Sequence, residues 1–216
     1  IPADAANYES VTGTIRLTVG QPALSGIAVT SQPAKASYTF GEPFDPAGMT
    51  VTATYADGTQ KAVTPAFDSV LAVGQTTLAL SYTEGGVTRT CTLSGLTVNK
   101  KPAAALTASD EASYSDTAAQ TFHFGSLLPS DCGAVTGVTV GSVSASAVLA
   151  SATGDKDAKT VTWALKPGLD NEEKSEAVTV TVQTENYEDI TIALTVRTTA
   201  KKPVTITGVE AQDGTY

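Results

Sequence analysis

The sequence predicts an all-β protein of tandem β-sandwich domains, and three observations support this fold class. Apolar and threonine residues alternate strictly from Met49 to Tyr55, which is the period of a half-buried strand. Thr, Val, Ala, Ser and Gly are prominent among the 216 residues, a composition that favours strands and tight turns over long helices. Turn-forming pairs such as Asp57-Gly58 separate the alternating runs, so successive strands are expected to pair as hairpins.

Residues 21–99 are predicted to form the first complete domain. Alternation resumes at Thr59, after an Asp57-Gly58 pair whose residues both tolerate the positive φ angles of a tight primed turn. The last strand changes the parity of its apolar face at Ser94-Gly95, which predicts a bulge at Gly95. Strands are expected near residues 26–30, 37–40, 50–55, 59–64, 76–82 and 87–98.

Four motifs in the first domain carry a resemblance to a known family. They are Pro33 with Lys35 and Tyr38, the segment Gly41–Asp45, the strand Gly48–Tyr55 and the turn Asp57–Thr59. With these motifs, the segment from Ile27 to Val98 resembles a bacterial immunoglobulin-like (Ig-like) domain of group 3. The resemblance implies a small β-sandwich that is repeated along large secreted or surface-attached bacterial proteins, and it does not imply an enzyme.

The remainder of the chain contains internal repeats, which predict further domains. Asn7-Tyr8-Glu9 precedes an alternating run and recurs before another such run as Asn186-Tyr187-Glu188. Lys100-Lys101-Pro102 recurs as Lys201-Lys202-Pro203, which suggests a unit of roughly a hundred residues. We therefore expect a terminal strand of a preceding repeat at 1–20, a second Ig-like β-sandwich at 100–200, and a linker with the first strand of a following repeat at 201–216.

The second sandwich is expected to have its own core. Its candidate strands are residues 105–108, 121–124, 138–144, 160–165, 177–184 and 190–197. Its ending also resembles the closing strands of repeats that accompany group 3 domains in bacterial surface proteins. The apolar faces of the strands predict these core residues: Phe122, Phe124, Val161, Trp163, Leu165, Val178, Val180, Val182, Ile190, Ile192, Leu194 and Val196.

The charge distribution disfavours several kinds of partner. The formal net charge is −9 and the basic residues are scattered, so we expect no nucleic-acid partner. No apolar run approaches the roughly 18 residues of a membrane span, so direct membrane insertion is not expected. The chain opens without a secretory leader and stops within a strand pattern, so we interpret it as part of a longer protein. Its unpaired terminal strands could then join two copies into a dimer.

No residue pattern predicts a catalytic, cofactor-binding or metal site. His123 is the only histidine and lies between two phenylalanines, so we expect a solvent-facing strand residue without triad or zinc partners. The acidic clusters at 155–157 and 170–173 lack the ligand spacing of a calcium loop and are interpreted as solvated turns. We therefore expect neither an enzyme nor a cofactor.

Four other features are interpreted structurally. Cys91 shares a strand face with Val87 and Leu93 and is predicted to be a buried free thiol. A bridge to Cys132 would require the two predicted domains to fold onto one another. Trp163 shares parity with its core neighbours, so we expect a core anchor and not a sugar-stacking platform. The sequence lacks a convincing Lys, Asn and acid set for an isopeptide bond.

The sequence and the resemblance together favour a non-enzymatic structural spacer or stalk, or an adhesive segment, in a bacterial protein that is exported to the cell surface. The first alternative is a module that binds a glycan or host protein through sandwich-end loops such as Gly41–Gly48 or Gly168–Glu173. Tyr38 and Phe44 are its only candidate exposed aromatics. The second alternative is an accessory region of a large secreted glycoside hydrolase.

Overall fold

The computed structural model describes residues 12–16 and 20–200, and these residues form strands and one short 3-10 turn. This confirms the all-β fold class. The predicted terminal strands at 1–20 and 201–216 lie largely or wholly outside the described residues. In chain order the elements are β1 (Leu24–Ser31), β2 (Ser37–Thr39), β3 (Thr50–Tyr55), β4 (Gln60–Val63), β5 (Thr77–Glu84), β6 (Val87–Ser94), β7 (Thr97–Asn99), β8 (Leu106–Ser113), β9 (Gln120–His123), the 3-10 turn (Gly125–Leu127), β10 (Val135–Val140), β11 (Leu149–Asp155), β12 (Thr160–Leu165), β13 (Ser175–Thr184) and β14 (Ile190–Thr199).

The internal contacts divide the chain into two compact units. The first unit comprises the described residues up to 34 together with 46–68 and 77–94. The second comprises 35–45, 69–76 and the described residues from 95 onward. Each unit is made of several separate segments of the chain, so the units do not test the predicted domain boundary at 99/100, which stays a prediction.

The first unit contains a three-stranded sheet in the order β1-β3-β4 and the β5-β6 hairpin. In β3 the residues Val51, Ala53 and Tyr55 are buried and the threonines between them are more exposed, as the alternation predicts. Ala53 and Tyr55 pack with Leu24 of β1, and Tyr82 and Val87 lie against this cluster. Burying each large side chain contributes about 1.5–3 kcal/mol, which offsets the entropy of ordering these short strands.

The β3-β4 hairpin confirms the predicted turn position and corrects the turn type. Gly58 has a φ of 83°, whereas Asp57 is not among the residues with positive φ. The N–H of Gly58 donates to Tyr55 O, and Asp57 Oδ1 accepts from Thr59 N at 3.0 Å. A bulged turn with one left-handed glycine therefore replaces the predicted primed turn, because the Asp57 carboxylate caps the following backbone instead.

The predicted strand over 87–98 is two strands, and the predicted bulge at Gly95 was wrong. β6 pairs antiparallel with β5, whereas β7 pairs parallel with β2. Gly95 lies between the two strands with a φ of 89°, a conformation that glycine tolerates best. The change of face at this position therefore marks a change of pairing partner and not an extra residue in one ladder.

In the second unit, two sheets face each other across one core. Four strands pair in the order β10-β13-β14-β8 and three in the order β11-β12-β9. Every residue predicted for this core is in it, with Phe122 partly buried at the edge. Trp163 is completely buried, and Val180, Val182, Ile192 and Val196 are equally inaccessible on the facing sheet.

Three strand predictions for this region need correction. β11 (Leu149–Asp155) was not predicted, because five of its residues are exposed and carry little apolar signal. The strand expected at 138–144 lies at 135–140. Gly141 still donates to Thr179 O, and the chain then turns where Ser146 N donates to Val143 O. β8 extends to Ser113, well beyond the predicted end at 108, through Asp110 and Glu111, two residue types that are depleted in strands.

Candidate functional site

The longest parallel ladder of the described residues joins β8 to β14. Leu106 pairs with Ile192, and the register continues without a shift to Ser113 and Thr199, giving eight residue pairs. β8 is the first strand of the predicted second domain and β14 is the last. The points where the chain enters and leaves this domain therefore lie at opposite ends of one ladder.

Side chains explain why β8 adopts this position despite its polar sequence. On β14, Ile192, Leu194 and Val196 are buried at alternate positions. On β8 the inward positions are Leu106, Ala108, Asp110 and Ala112, and Asp110 Oδ2 accepts a hydrogen bond from Trp163 Nε1 at 2.9 Å. The indole N–H therefore satisfies a carboxylate that would otherwise oppose burial.

The linker before β8 is part of the second unit and is bonded to residues 184–188. Lys101 forms an isolated parallel bridge with Tyr187, in which its N–H donates to Asn186 O and its carbonyl accepts from Glu188 N, each at 2.9 Å. Lys100 Nζ donates to Thr184 O at 2.6 Å. The recurring Lys-Lys-Pro and Asn-Tyr-Glu motifs of the sequence thus meet here in space.

Asp131 connects these two motifs electrostatically. Its Oδ1 accepts from the Tyr187 hydroxyl at 2.8 Å, and its Oδ2 lies 3.7 Å from Lys101 Nζ. The same ammonium lies 5.2 Å from the centre of the Tyr187 ring, within range of a cation–π contact. The Tyr187 hydrogen bond, more than Lys101, lowers the pKa of Asp131, and Tyr187 followed by Asp131 raises the pKa of Lys101.

A second, shorter parallel pairing joins β2 to β7 over three residue pairs. It is braced by Tyr38, which is 1% exposed and whose hydroxyl donates to Lys35 O at 3.0 Å and accepts from Asp45 N at 3.3 Å. Lys35 Nζ lies 4.8 Å from the centre of the Tyr38 ring. The family-motif residues of this segment thus form a packed structural corner.

The aromatic residues considered for ligand binding at the loop Gly41–Gly48 are therefore not accessible to a ligand. Tyr38 and Phe44 are both buried, and their ring centres lie 6.0 Å apart. Glu42 in the same loop accepts from Thr39 N and pairs with Lys35, and these contacts lower its pKa, with the backbone bond as the largest cause. The loop's motif side chains stabilise its own fold.

The other candidate residues occupy structural positions. His123 is exposed on β9, and Trp163 is a core residue, as predicted. In the loop Gly168–Glu173, Asp170 pairs with Lys174, and Asp155 caps the turn between β11 and β12 by accepting from Asp157 N and Ala158 N. Within residues 12–16 and 20–200, no group of three or more His, Cys, Asp or Glu side chains is arranged to hold a metal ion.

Both cysteines are free thiols. Cys132 is buried, whereas Cys91 is half-buried and so is less enclosed than predicted. Burial raises the pKa of the Cys91 thiol. A raised pKa reduces the thiolate fraction at neutral pH, so Cys91 is a poor nucleophile.

The hydrogen bond between Tyr55 and Glu84 in the first unit should make the stability of the protein depend on pH. Tyr55 donates its hydroxyl to Glu84, which raises the pKa of Tyr55 to about 12 and lowers the pKa of Glu84. The depressed Glu84 pKa contributes stability above the unfolded value of about 4.3, and this is lost as the pH falls through the folded pKa. The raised Tyr55 pKa contributes stability below about 10, which is lost as the pH rises through about 12.

We therefore expect the urea midpoint of Tyr55→Phe to lie below that of the unsubstituted protein at pH 7 and to approach it as the pH falls below 4. Glu84→Gln should show the same convergence. A midpoint difference that is constant from pH 3 to pH 8 contradicts this assignment.

Within the described residues there is no helix with the length and hydropathy of a membrane span.

Residues 31–94 match the family model described as bacterial Ig-like domain (group 3). The match confirms the resemblance carried by Tyr38, the Gly41–Asp45 segment and the strand ending at Tyr55. It indicates a bacterial surface or structural module of a family that is typically non-catalytic. No curated protein matches the chain. The Ig-like assignment of residues 100–200 stays a prediction.

Proposed function

Because residues 31–94 match the family model of the bacterial Ig-like domain (group 3), we propose that this protein is a load-bearing spacer of a larger, exported bacterial cell-surface protein. The spacer holds a functional region away from the cell envelope and has no catalytic role of its own. The parallel ladder between β8 and β14 is the observation that carries the proposal.

The direction of the two strands determines how the ladder responds to tension. Pulling the chain lengthwise draws the Leu106 end of β8 and the Thr199 end of β14 in opposite directions. All hydrogen bonds of a parallel ladder are then loaded together in shear. If the strands were pulled from the same end, the bonds would instead break one after another. The Trp163 to Asp110 hydrogen bond further ties β8 to the core.

Single-molecule force spectroscopy on the full chain tests this proposal. In one preparation the handles are attached at Ala104 and Ala200, which loads the ladder in shear. In the other they are attached at Thr117 and Ala200, which opens the same ladder from one end. We expect the first rupture force to be several-fold larger in shear. Equal forces would remove the mechanical basis of the proposal.

Handles should be attached through non-natural residues so that Cys91 and Cys132 remain unmodified. Ala193→Pro provides the matched variant, because β14 lies between β13 and β8 and its exposed Ala193 side chain is not part of the core. Proline removes a ladder hydrogen bond at this position. The shear rupture force should fall in this variant. Lys156→Pro should leave it nearly unchanged, because Lys156 is exposed and directly follows Asp155 in the β11-β12 turn, where proline is tolerated.

The binding alternative receives no specific support from the described residues. Its two candidate aromatics are buried, and the charged side chains of both candidate loops include ones paired within their own unit. Selective binding in a glycan array would nevertheless favour that alternative over the spacer function.

A further inference from the structure

We infer that Asp131, Asn186 and Tyr187 form a socket for the Lys100-Lys101-Pro102 linker. The parallel pairing of β8 with β14 then begins within the linker, at Lys101, and not at the start of β8. Only the statement that the β8-β14 ladder bears load rests on the proposed function. The seating of the linker is measurable without applied force.

The backbone register is the first line of support. Lys101 pairs with Tyr187 and Leu106 pairs with Ile192, so both pairings have the same separation of 86 residues. The linker and β8 therefore run alongside residues 187–199 in one register. Pro102 opens the interruption between the two pairings, where its missing N–H forfeits no hydrogen bond.

The side chains provide the second line of support. Asn186 Nδ2 donates to Asp131 O at 2.9 Å, and the Tyr187 hydroxyl donates to the Asp131 carboxylate. These bonds hold the Asp131 carboxylate and the Tyr187 ring in place without any contribution from Lys101. The socket thus presents an acid and an aromatic face to Lys101, the two groups that attract an ammonium.

Both halves of this arrangement occur twice in the sequence. The socket motif Asn186-Tyr187-Glu188 is matched by Asn7-Tyr8-Glu9, and the linker motif at 100–102 is matched at 201–203. The second copies lie outside the described residues. The partner of such a socket is an extended, lysine-bearing linker, so the recurrence indicates one type of joint used between successive repeats.

Limited proteolysis of the full chain tests the seated linker. Trypsin cleaves after lysine but acts poorly before proline, so the Lys100–Lys101 bond is the informative position. Cleavage requires local opening, and its rate follows the open population when closing is fast. In the double variant Asp131→Asn, Tyr187→Phe, we expect cleavage at this bond to be about tenfold faster, which is roughly 1.4 kcal/mol of local stability.

The substitutions keep the Tyr187 ring in the core, and circular dichroism confirms that each variant is folded. Glu42→Gln is the matched control, since it removes another exposed lysine pair and should leave the Lys100–Lys101 rate unchanged. In the unsubstituted protein, hydrogen exchange should also show protected amides at Lys101 and Glu188.

Two results would overturn the inference: cleavage of the folded, unsubstituted protein at the rate of a free peptide of the same sequence, or an unchanged rate in the double variant. Neither result depends on the force measurements. A flexible linker with a strong β8-β14 ladder would refute the socket alone, and a seated linker with a weak ladder would refute the load-bearing function alone.

Discussion

Trp163→Ala is expected to lower the free energy of unfolding of the second sandwich by about 3–5 kcal/mol, the usual cost of emptying a large aromatic site. Trp163 is completely buried, and its indole N–H is a donor to the half-buried Asp110 carboxylate. Loss of that donor adds a smaller cost of about 0.5–1.5 kcal/mol, because the half-buried Asp110 carboxylate loses one hydrogen bond but remains within reach of water. Since domains are typically stable by only 5–15 kcal/mol, this region should unfold near ambient temperature.

Thermal unfolding followed by far-ultraviolet circular dichroism measures this effect, because the substitution removes the only tryptophan available for fluorescence. Trp163→Phe is the matched control: it retains much of the ring volume, loses the N–H and should fall between the two proteins. A melting temperature within a few degrees of the unsubstituted value for Trp163→Ala would show that Trp163 is not the anchor of this core.

Tyr38→Ala is expected to be similarly destabilising, by about 3–5 kcal/mol, because it empties the corner where β2 meets β7. The loss includes the packing of Phe44 and the hydroxyl bonds to Lys35 O and Asp45 N. Urea denaturation measures the change. Tyr38→Phe keeps the ring and should cost only about 0.5–1.5 kcal/mol, the net value of a typical hydrogen bond.

This pair of variants also distinguishes the two interpretations of the aromatic loop. If Tyr38 contacted a ligand, Tyr38→Ala would reduce binding while leaving the unfolding midpoint almost unchanged. Its 1% exposure predicts the opposite result, a large change in stability. If Tyr38→Ala lowered the urea midpoint by less than Tyr38→Phe does, the structural role of Tyr38 would be contradicted.

The core of the second sandwich was predictable because its strands alternate strictly. Residues from Val178 to Val182 and from Ile190 to Val196 carry apolar side chains at every second position, and a period of two fixes the buried face of a strand without reference to its partners. The same rule identified the buried face of β3 and the environment of Trp163.

Strands whose stability depends on distant partners were not predictable in this way. β8 carries Asp110 at an inward position, and only the indole of Trp163, which is distant in sequence, makes that position favourable. β11 is mostly exposed and is defined by its hydrogen bonds to β12. Local propensity opposes both strands, and tertiary contacts outweigh it.

The joint shows the same division. Residue type and spacing were enough to predict the all-β class, the buried strand faces and the recurrence of Lys-Lys-Pro and Asn-Tyr-Glu. The position of Lys101 beside Asp131 and Tyr187, and the parallel pairing of β8 with β14, emerged only in the folded protein. Those pairings join residues 30 to 86 positions apart, and the folded core selects them through contacts that no local pattern encodes.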